Sequence, residues 1–278
     1  MSNAALDFLS STVQAAKVWH LAGAQTFMRT HAAAHEETHP MTTKREGHGW
    51  WPYLGPYLAF LLAAQLGSVF PDSWDPAMLI IKAALPGSLI LYFAMRGDYP
   101  ELRAMKFRPG WAVLDLLLGV VLAVQWVGPY LLIEALPRPD AKDGFNPQMA
   151  GEQMVFTILA MRMFGYAIVT PVFEELFIRS FVMRYADCYL RSGDFRNIDI
   201  ARYTLRSFWS TVVIFTISHA FWEWWVAIPW VIATNLWFYL RKDMSAPILV
   251  HASTNASILI YVTVMTDGIP GHPLWVFV

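Results

Sequence analysis

Seven apolar segments follow one another after residue 50, and most are long enough to cross a lipid bilayer. A hydrocarbon core about 30 Å thick needs roughly 20 apolar residues in a helix, and open sheets cannot satisfy their backbone there. We therefore predict an all-α polytopic transmembrane bundle, with spans at roughly 54–70, 76–95, 111–135, 163–183, 207–222, 226–240 and 246–265. Residues 151–162 form either an interfacial helix or the start of a longer fourth span, and the apolar segments by themselves give seven spans.

Composition supports a multi-pass integral membrane protein. Hydrophobic residues make up 56% of the 278 positions and charged residues only 15%, whereas soluble domains carry about a quarter charged residues. A net charge of −1 and the lack of a Lys/Arg-rich run argue against nucleic acid as a partner. Cys188 is the single cysteine, so no intramolecular disulfide staples the fold.

The chain divides by composition into two parts. Residues 1–50 are polar and contain five of the eight histidines, so we predict a cytoplasmic or interfacial N-terminal extension. Residues 51–278 form the predicted transmembrane domain, and the residues suited to chemistry lie within about 160–260.

The charges between the apolar segments predict an orientation. Basic residues concentrate in three connections, at 96–108, 184–206 and 241–242, while the alternate connections are acidic or mixed. The positive-inside rule places the basic connections in the cytoplasm, and we expect a plasma (inner) membrane protein.

Six polar side chains interrupt the later apolar segments, and residues of this kind inside a membrane are functional-site candidates. They are Glu174, Glu175, Arg179, His219, His251 and Asn255. Counted at ~1.5 Å per residue from the nearest basic connection, Glu175, His219 and His251 lie at depths of roughly 14, 20 and 12 Å. This similar depth predicts one shared site, towards the cytoplasmic half of the membrane.

Helical spacing assigns a side to each group. Glu175 and Arg179 are four residues apart, which favours an ion pair on one helix face. Glu174 points about 100° away from Glu175, so we expect Glu174 to face the site. His251 and Asn255 are also four apart and point into one volume.

These residue types are the parts of a hydrolytic site. A carboxylate and an imidazole near one water molecule form a general base, while an amide and a second imidazole can donate hydrogen bonds to an oxyanion. Such a set can hydrolyse a peptide bond without a serine or cysteine nucleophile.

Three motifs carry a resemblance to a known family. Glu174-Glu175-x-x-x-Arg179, Phe215-x-x-x-His219 and His251-x-x-x-Asn255 occur in order on the fourth, fifth and seventh segments and resemble the motifs of the CPBP family, which includes the type II CAAX prenyl proteases and Abi-like proteases. The resemblance implies a glutamic intramembrane endopeptidase, or CAAX-processing peptide hydrolase, acting near the C-terminus of a membrane-anchored protein or peptide, including a prenylated one. It also implies that Glu174 and His219 activate water, that His251 and Asn255 stabilise the oxyanion, and that the bundle has about seven or eight spans, with 151–162 or the N-terminal region as the possible eighth. Because Arg179 beside the glutamates would repel a divalent cation, we expect no cofactor.

Three alternatives stay open at this point. The glutamates and histidines of the site are possible Zn²⁺ ligands, which would make a metalloendopeptidase. A second possible zinc motif, His-Glu-Glu-Thr-His, lies at 35–39. Pro40 directly after it would end a helix, and no apolar residues surround the motif. The polar residues of the bundle could also belong to an inactive scaffold or a proton-coupled transporter.

Overall fold

The fold was analysed in a computed structural model that describes residues 49–189 and 193–278. Eight helices and no strand occur among these residues: α1 (Trp51–Gly67), α2 (Asp75–Arg96), α3 (Pro100–Arg103), α4 (Pro109–Leu132), α5 (Glu152–Cys188), α6 (Leu205–Ile217), α7 (Trp224–Arg241) and α8 (Ser245–Thr266). The predicted all-α fold is confirmed. The predicted extension over 1–50, including the His-Glu-Glu-Thr-His motif, falls outside the described residues except for its last two positions.

Each of the seven predicted apolar segments forms a helix. By length and composition, four helices of the described part can cross a membrane: α2, α4, α5 and α8. Helix α5 is continuous over 37 residues, so residues 152–162 begin the long fourth helix rather than forming a separate interfacial one. The total number of spans stays a prediction.

The fifth apolar segment differs from its predicted extent. Helix α6 ends at Ile217 instead of near residue 222, and a one-turn 3₁₀ segment follows at Phe221–Glu223. The Ser218 hydroxyl donates to the Phe215 carbonyl at 2.8 Å, which satisfies one of the last carbonyls of the helix. His219 therefore lies on a connection between helices and not inside one.

One face of α4 shows why this bundle suits a lipid environment. Val113, Leu117 and Val124 are 55%, 56% and 67% exposed, and their spacing places them on one side of the helix. Asp115 is fully buried on the inner side, where it accepts hydrogen bonds from Trp237 at 2.7 Å and Arg241 at 2.9 Å. Apolar side chains facing outwards and a paired charge facing inwards are typical of a membrane bundle.

The basic connections meet at one end of the bundle. The Lys106 amide donates to Asp243 at 3.0 Å, which joins the connection before α4 to the one before α8. Arg184 of α5 pairs with Glu101 of α3 at 3.4 Å. At the opposite end, the Phe145 amide donates to the Trp275 carbonyl at 3.0 Å, and the Tyr130 hydroxyl donates to the carbonyl of Trp222.

Helix α8 carries His251 and Asn255 and packs closely on α4. A Cβ atom added at Gly119 would lie 2.4 Å from the Ser253 Cβ and 2.6 Å from the Val250 carbonyl oxygen. Ser253 also donates to the Leu116 carbonyl at 2.7 Å. Glycine at position 119 is therefore needed for these two backbones to approach, as at many helix contacts in membranes.

We predict that Gly119→Ala lowers the melting temperature of the protein in detergent and reduces its activity. The methyl group forces α4 and α8 apart, and overpacking of this kind costs about 1–3 kcal/mol. Gly128→Ala is the matched control on the same helix, because its nearest neighbour, Val124, lies 3.9 Å away. Equal melting temperatures for the two variants would contradict the packing assigned to Gly119.

Candidate active site

The two neighbouring glutamates face different surroundings. Glu174 is partly exposed and lines a cavity of about 380 Å³ inside the bundle. Glu175 is fully buried behind it and does not line the cavity. They occupy the end of a short α-helical stretch, Thr170–Glu175, between two π-helical stretches at Phe164–Val169 and Leu176–Val182. π-Helical turns inside α-helices are frequent at functional sites.

Arg179 holds Glu175 in an ion pair that is fully buried. Its Nη1 lies 3.2 Å from Glu175 Oε1 and 3.1 Å from Oε2, and its Nη2 donates to Thr234 Oγ1 at 2.5 Å. The guanidinium also lies over the rings of Phe215 and Trp230, at 5.4 and 5.5 Å. Since neither charge touches water, the pair must be held by these contacts. The predicted pairing of Glu175 with Arg179 is present.

His251 connects both glutamates. Its Nδ1 lies 2.8 Å from Glu175 Oε1, and its Nε2 lies 3.8 Å from Glu174 Oε2. Because the carboxylate of Glu175 accepts hydrogen bonds, Nδ1 carries a proton and Nε2 points towards Glu174. The edge of Trp230 packs against the ring with 4.9 Å between centroids. His251 is therefore fixed in orientation before any substrate arrives.

His219 is held by its own helix end. Its Nδ1 lies 2.9 Å from the Phe215 carbonyl oxygen, which can only accept, so Nδ1 is the protonated nitrogen. The ring packs on Phe215 at 4.4 Å and Trp126 at 5.5 Å. Neutral His219 then has a lone pair on Nε2, which can accept a hydrogen bond from a water molecule in the cavity that it lines.

Asn255 completes the predicted set. Its Nδ2 donates to the Tyr166 carbonyl at 2.7 Å, and the residue lines the cavity. One amide hydrogen is used in this bond, and the second is left to donate to a ligand. Glu174, His219, His251 and Asn255 thus share one cavity, whereas Glu175 and Arg179 support it from behind.

Several residues around the site were not singled out from sequence. Thr234 accepts a hydrogen bond from Arg179, and the Tyr166 carbonyl accepts one from Asn255. Trp230 packs on both Arg179 and His251. No motif marks them, because their role depends on which helices become neighbours. Trp222 also lines the cavity.

The arrangement bears on the zinc alternative. Glu175 is engaged by Arg179 and by His251 Nδ1, and a guanidinium beside the site would repel a divalent cation. Over the described residues, no three His, Cys, Asp or Glu side chains form a group suited to hold a metal ion. The metal requirement stays a prediction to be tested.

The cavity reaches beyond the four candidate residues that line it, towards one end of the bundle. Its outer lining includes Pro139, Trp222 and Phe277, all of which belong to the end opposite the basic connections. Glu174 itself lies nearer the basic end, fourteen residues before Cys188 and twenty-two after Glu152 in α5. Glu174 thus lies nearer the basic end of the bundle, whereas the cavity extends towards the opposite end.

Comparison with known proteins agrees with the motifs. The family model of the type II CAAX prenyl endopeptidase Rce1-like proteins matches residues 156–257, a range that contains all six predicted site residues. Neither a curated protein nor a solved structure is similar enough to the chain to count as a match. Such a family implies a CAAX-type intramembrane endopeptidase, and helices able to span a membrane are present. Over residues 156–257, the chain is therefore similar to the Rce1-like type II CAAX prenyl endopeptidases.

Proposed function

We propose that this protein is a metal-free glutamic endopeptidase that cleaves a peptide bond near the C-terminus of a membrane-anchored protein, including a prenylated one. The observation that carries the proposal is the convergence of Glu174, His219, His251 and Asn255 on one cavity inside an apolar bundle. A carboxylate that faces the cavity next to a fixed imidazole is suited to activate water, and low polarity around it strengthens each electrostatic contact.

The proposed reaction begins with a water molecule between Glu174 and His219. Glu174 accepts a proton from the water, while Nε2 of His219 accepts its other hydrogen as a hydrogen bond. The water oxygen bonds to the carbonyl carbon of the substrate and forms a tetrahedral oxyanion. The C–N bond then breaks, and the leaving amine takes the proton from Glu174, so that atoms and charges balance.

His251 and Asn255 stabilise the oxyanion in this scheme. Asn255 donates its free amide hydrogen, and His251 donates from Nε2 when it is in the imidazolium form. Glu175 lies 2.8 Å from His251 Nδ1 and holds the ring with Nε2 towards the cavity. Arg179 in turn holds Glu175 in place. Glu175 and Arg179 are therefore positioning residues in the proposal.

We predict that Glu174→Gln abolishes cleavage, by a factor of about 10³ or more, and leaves the melting temperature within a few degrees of the wild type. The amide cannot accept a proton from water. Glu175→Gln is the matched comparison: it weakens a buried ion pair, so we expect a clear loss of stability together with reduced activity. Cleavage of a farnesylated CAAX peptide by purified variants, with melting curves in detergent, measures both. Full activity of Glu174→Gln would show that this glutamate is not the base.

Metal dependence separates the proposal from its zinc alternative. We expect the purified enzyme to retain its activity after dialysis against EDTA and 1,10-phenanthroline, because the proposed water activation needs only Glu174 and His219. Peptide cleavage before and after dialysis is the measurement. A loss that added Zn²⁺ restores would favour the metalloendopeptidase instead.

We further propose that the protein lies in the plasma (inner) membrane with its basic connections in the cytoplasm. Two exposed lysines mark the two ends of the bundle. Lys106 lies in a basic connection, and Lys142 lies at the opposite end, next to Asp143 of the cavity lining. In this orientation the catalytic groups are nearer the cytoplasm, and the cavity extends towards the other side.

Single cysteines at these positions, in a Cys188→Ser background, test the orientation. We expect a membrane-impermeant maleimide to label Lys142→Cys but not Lys106→Cys in intact spheroplasts, and to label both after the membrane is opened. The reverse labelling pattern would show the opposite orientation, in which the cavity extends towards the cytoplasm.

A further inference from the structure

Arg162 differs from the other arginines deep in the bundle. Arg179, Arg184 and Arg241 pair with Glu175, Glu101 and Asp115, respectively. Arg162 of α5 forms no ion pair with any described residue, and its buried Nε has no hydrogen-bond partner among them. A poorly hydrated guanidinium without a counter-charge is costly, and it offers a ready binding site for an anion.

Two aromatic rings hold this guanidinium in place. It lies 5.2 Å from the centre of the Phe145 ring and 4.9 Å from that of Tyr166. Tyr166 is fixed in turn, because its hydroxyl donates to the Phe277 carbonyl at 3.1 Å and its own carbonyl accepts from Asn255. The cation is therefore pre-oriented, which lowers the entropic cost of binding a ligand.

Arg162 lines two adjoining cavities. One is the catalytic cavity with Glu174, and the other is a more open cavity of about 540 Å³ that Lys82 also lines. Acidic residues line them as well, namely Asp143 in both, Glu223 in the catalytic cavity, and Asp72 and Asp75 in the outer one. None of these carboxylates pairs with Arg162 within the described residues, so its charge is left for a ligand in the cavity.

We propose that Arg162 binds the free C-terminal α-carboxylate of the substrate, an inference that rests on the proposed peptidase function. A guanidinium matches a carboxylate with two parallel hydrogen bonds, and such charge-assisted pairs are among the strongest. A free C-terminus is the one carboxylate that every substrate cut near its end must present. Arg162 is then a specificity-determining residue that selects chain ends over internal segments.

The test compares two farnesylated CAAX peptides that differ only at the end, one with a free carboxylate and one with a C-terminal amide. We expect the wild-type enzyme to prefer the acid by tenfold or more in kcat/KM. Arg162→Gln should bring this ratio close to one, mainly by raising KM for the acid. Arg162→Lys should keep part of the preference, because the charge remains.

Lys82→Gln is the control, since Lys82 lines the outer cavity but not the catalytic one. We expect it to leave the ratio within about twofold. If Lys82→Gln removes the preference and Arg162→Gln does not, the carboxylate binds elsewhere and the assignment to Arg162 is wrong. An equal rate for acid and amide with the wild type would also overturn it.

Failure of the peptidase function itself looks different. In that case the wild type cleaves neither peptide at a rate above that of Glu174→Gln, and the present inference falls with it.

Discussion

Two opposite charges, Glu175 and Arg179, are fully buried one turn apart on α5, and the rest of the site is arranged around the need to keep both inside an apolar bundle. Neither charge would be stable there alone. Thr234 binds the guanidinium from α7, the rings of Phe215 and Trp230 cover it from α6 and α7, and His251 approaches the carboxylate from α8. One ion pair therefore orients three further elements of the bundle, and with them the groups that face the cavity.

The same network gives the two neighbouring glutamates different roles. The carboxylate oxygens of Glu175 contact Arg179 and His251, so Glu175 fixes the imidazole but does not line the cavity. Glu174 lines the cavity, where a water molecule and a peptide could reach its carboxylate oxygens. The π-helical stretches on either side of this pair shift the faces of α5 relative to a regular helix, which helps one helix to serve both the ion pair and the cavity.

Arg162 and Arg179 show how one residue type has two uses within a single helix. Arg179 is satisfied from within the protein, and its partners make it a part of the scaffold. Arg162 is held by rings but lacks an anionic partner in the described part of the chain, and it faces the same cavity from farther along α5. The first arrangement stabilises the site, and the second makes it selective for a ligand of opposite charge.

The sequence by itself determined the all-helical class, because apolar segments of spanning length leave a membrane chain few other solutions. It also determined the Glu175–Arg179 pair and the shared face of His251 and Asn255, since residues four apart in a helix are neighbours whatever surrounds them. Only the tertiary structure decided that α6 ends before His219, that Trp230 and Thr234 enclose Arg179, and that Arg162 lies beside the cavity without an ion pair to any described residue. Those features depend on which helices touch and on where a chain leaves the helical path. Contacts between residues far apart in sequence decide which helices touch and where a helix ends. A local sequence pattern cannot predict such contacts.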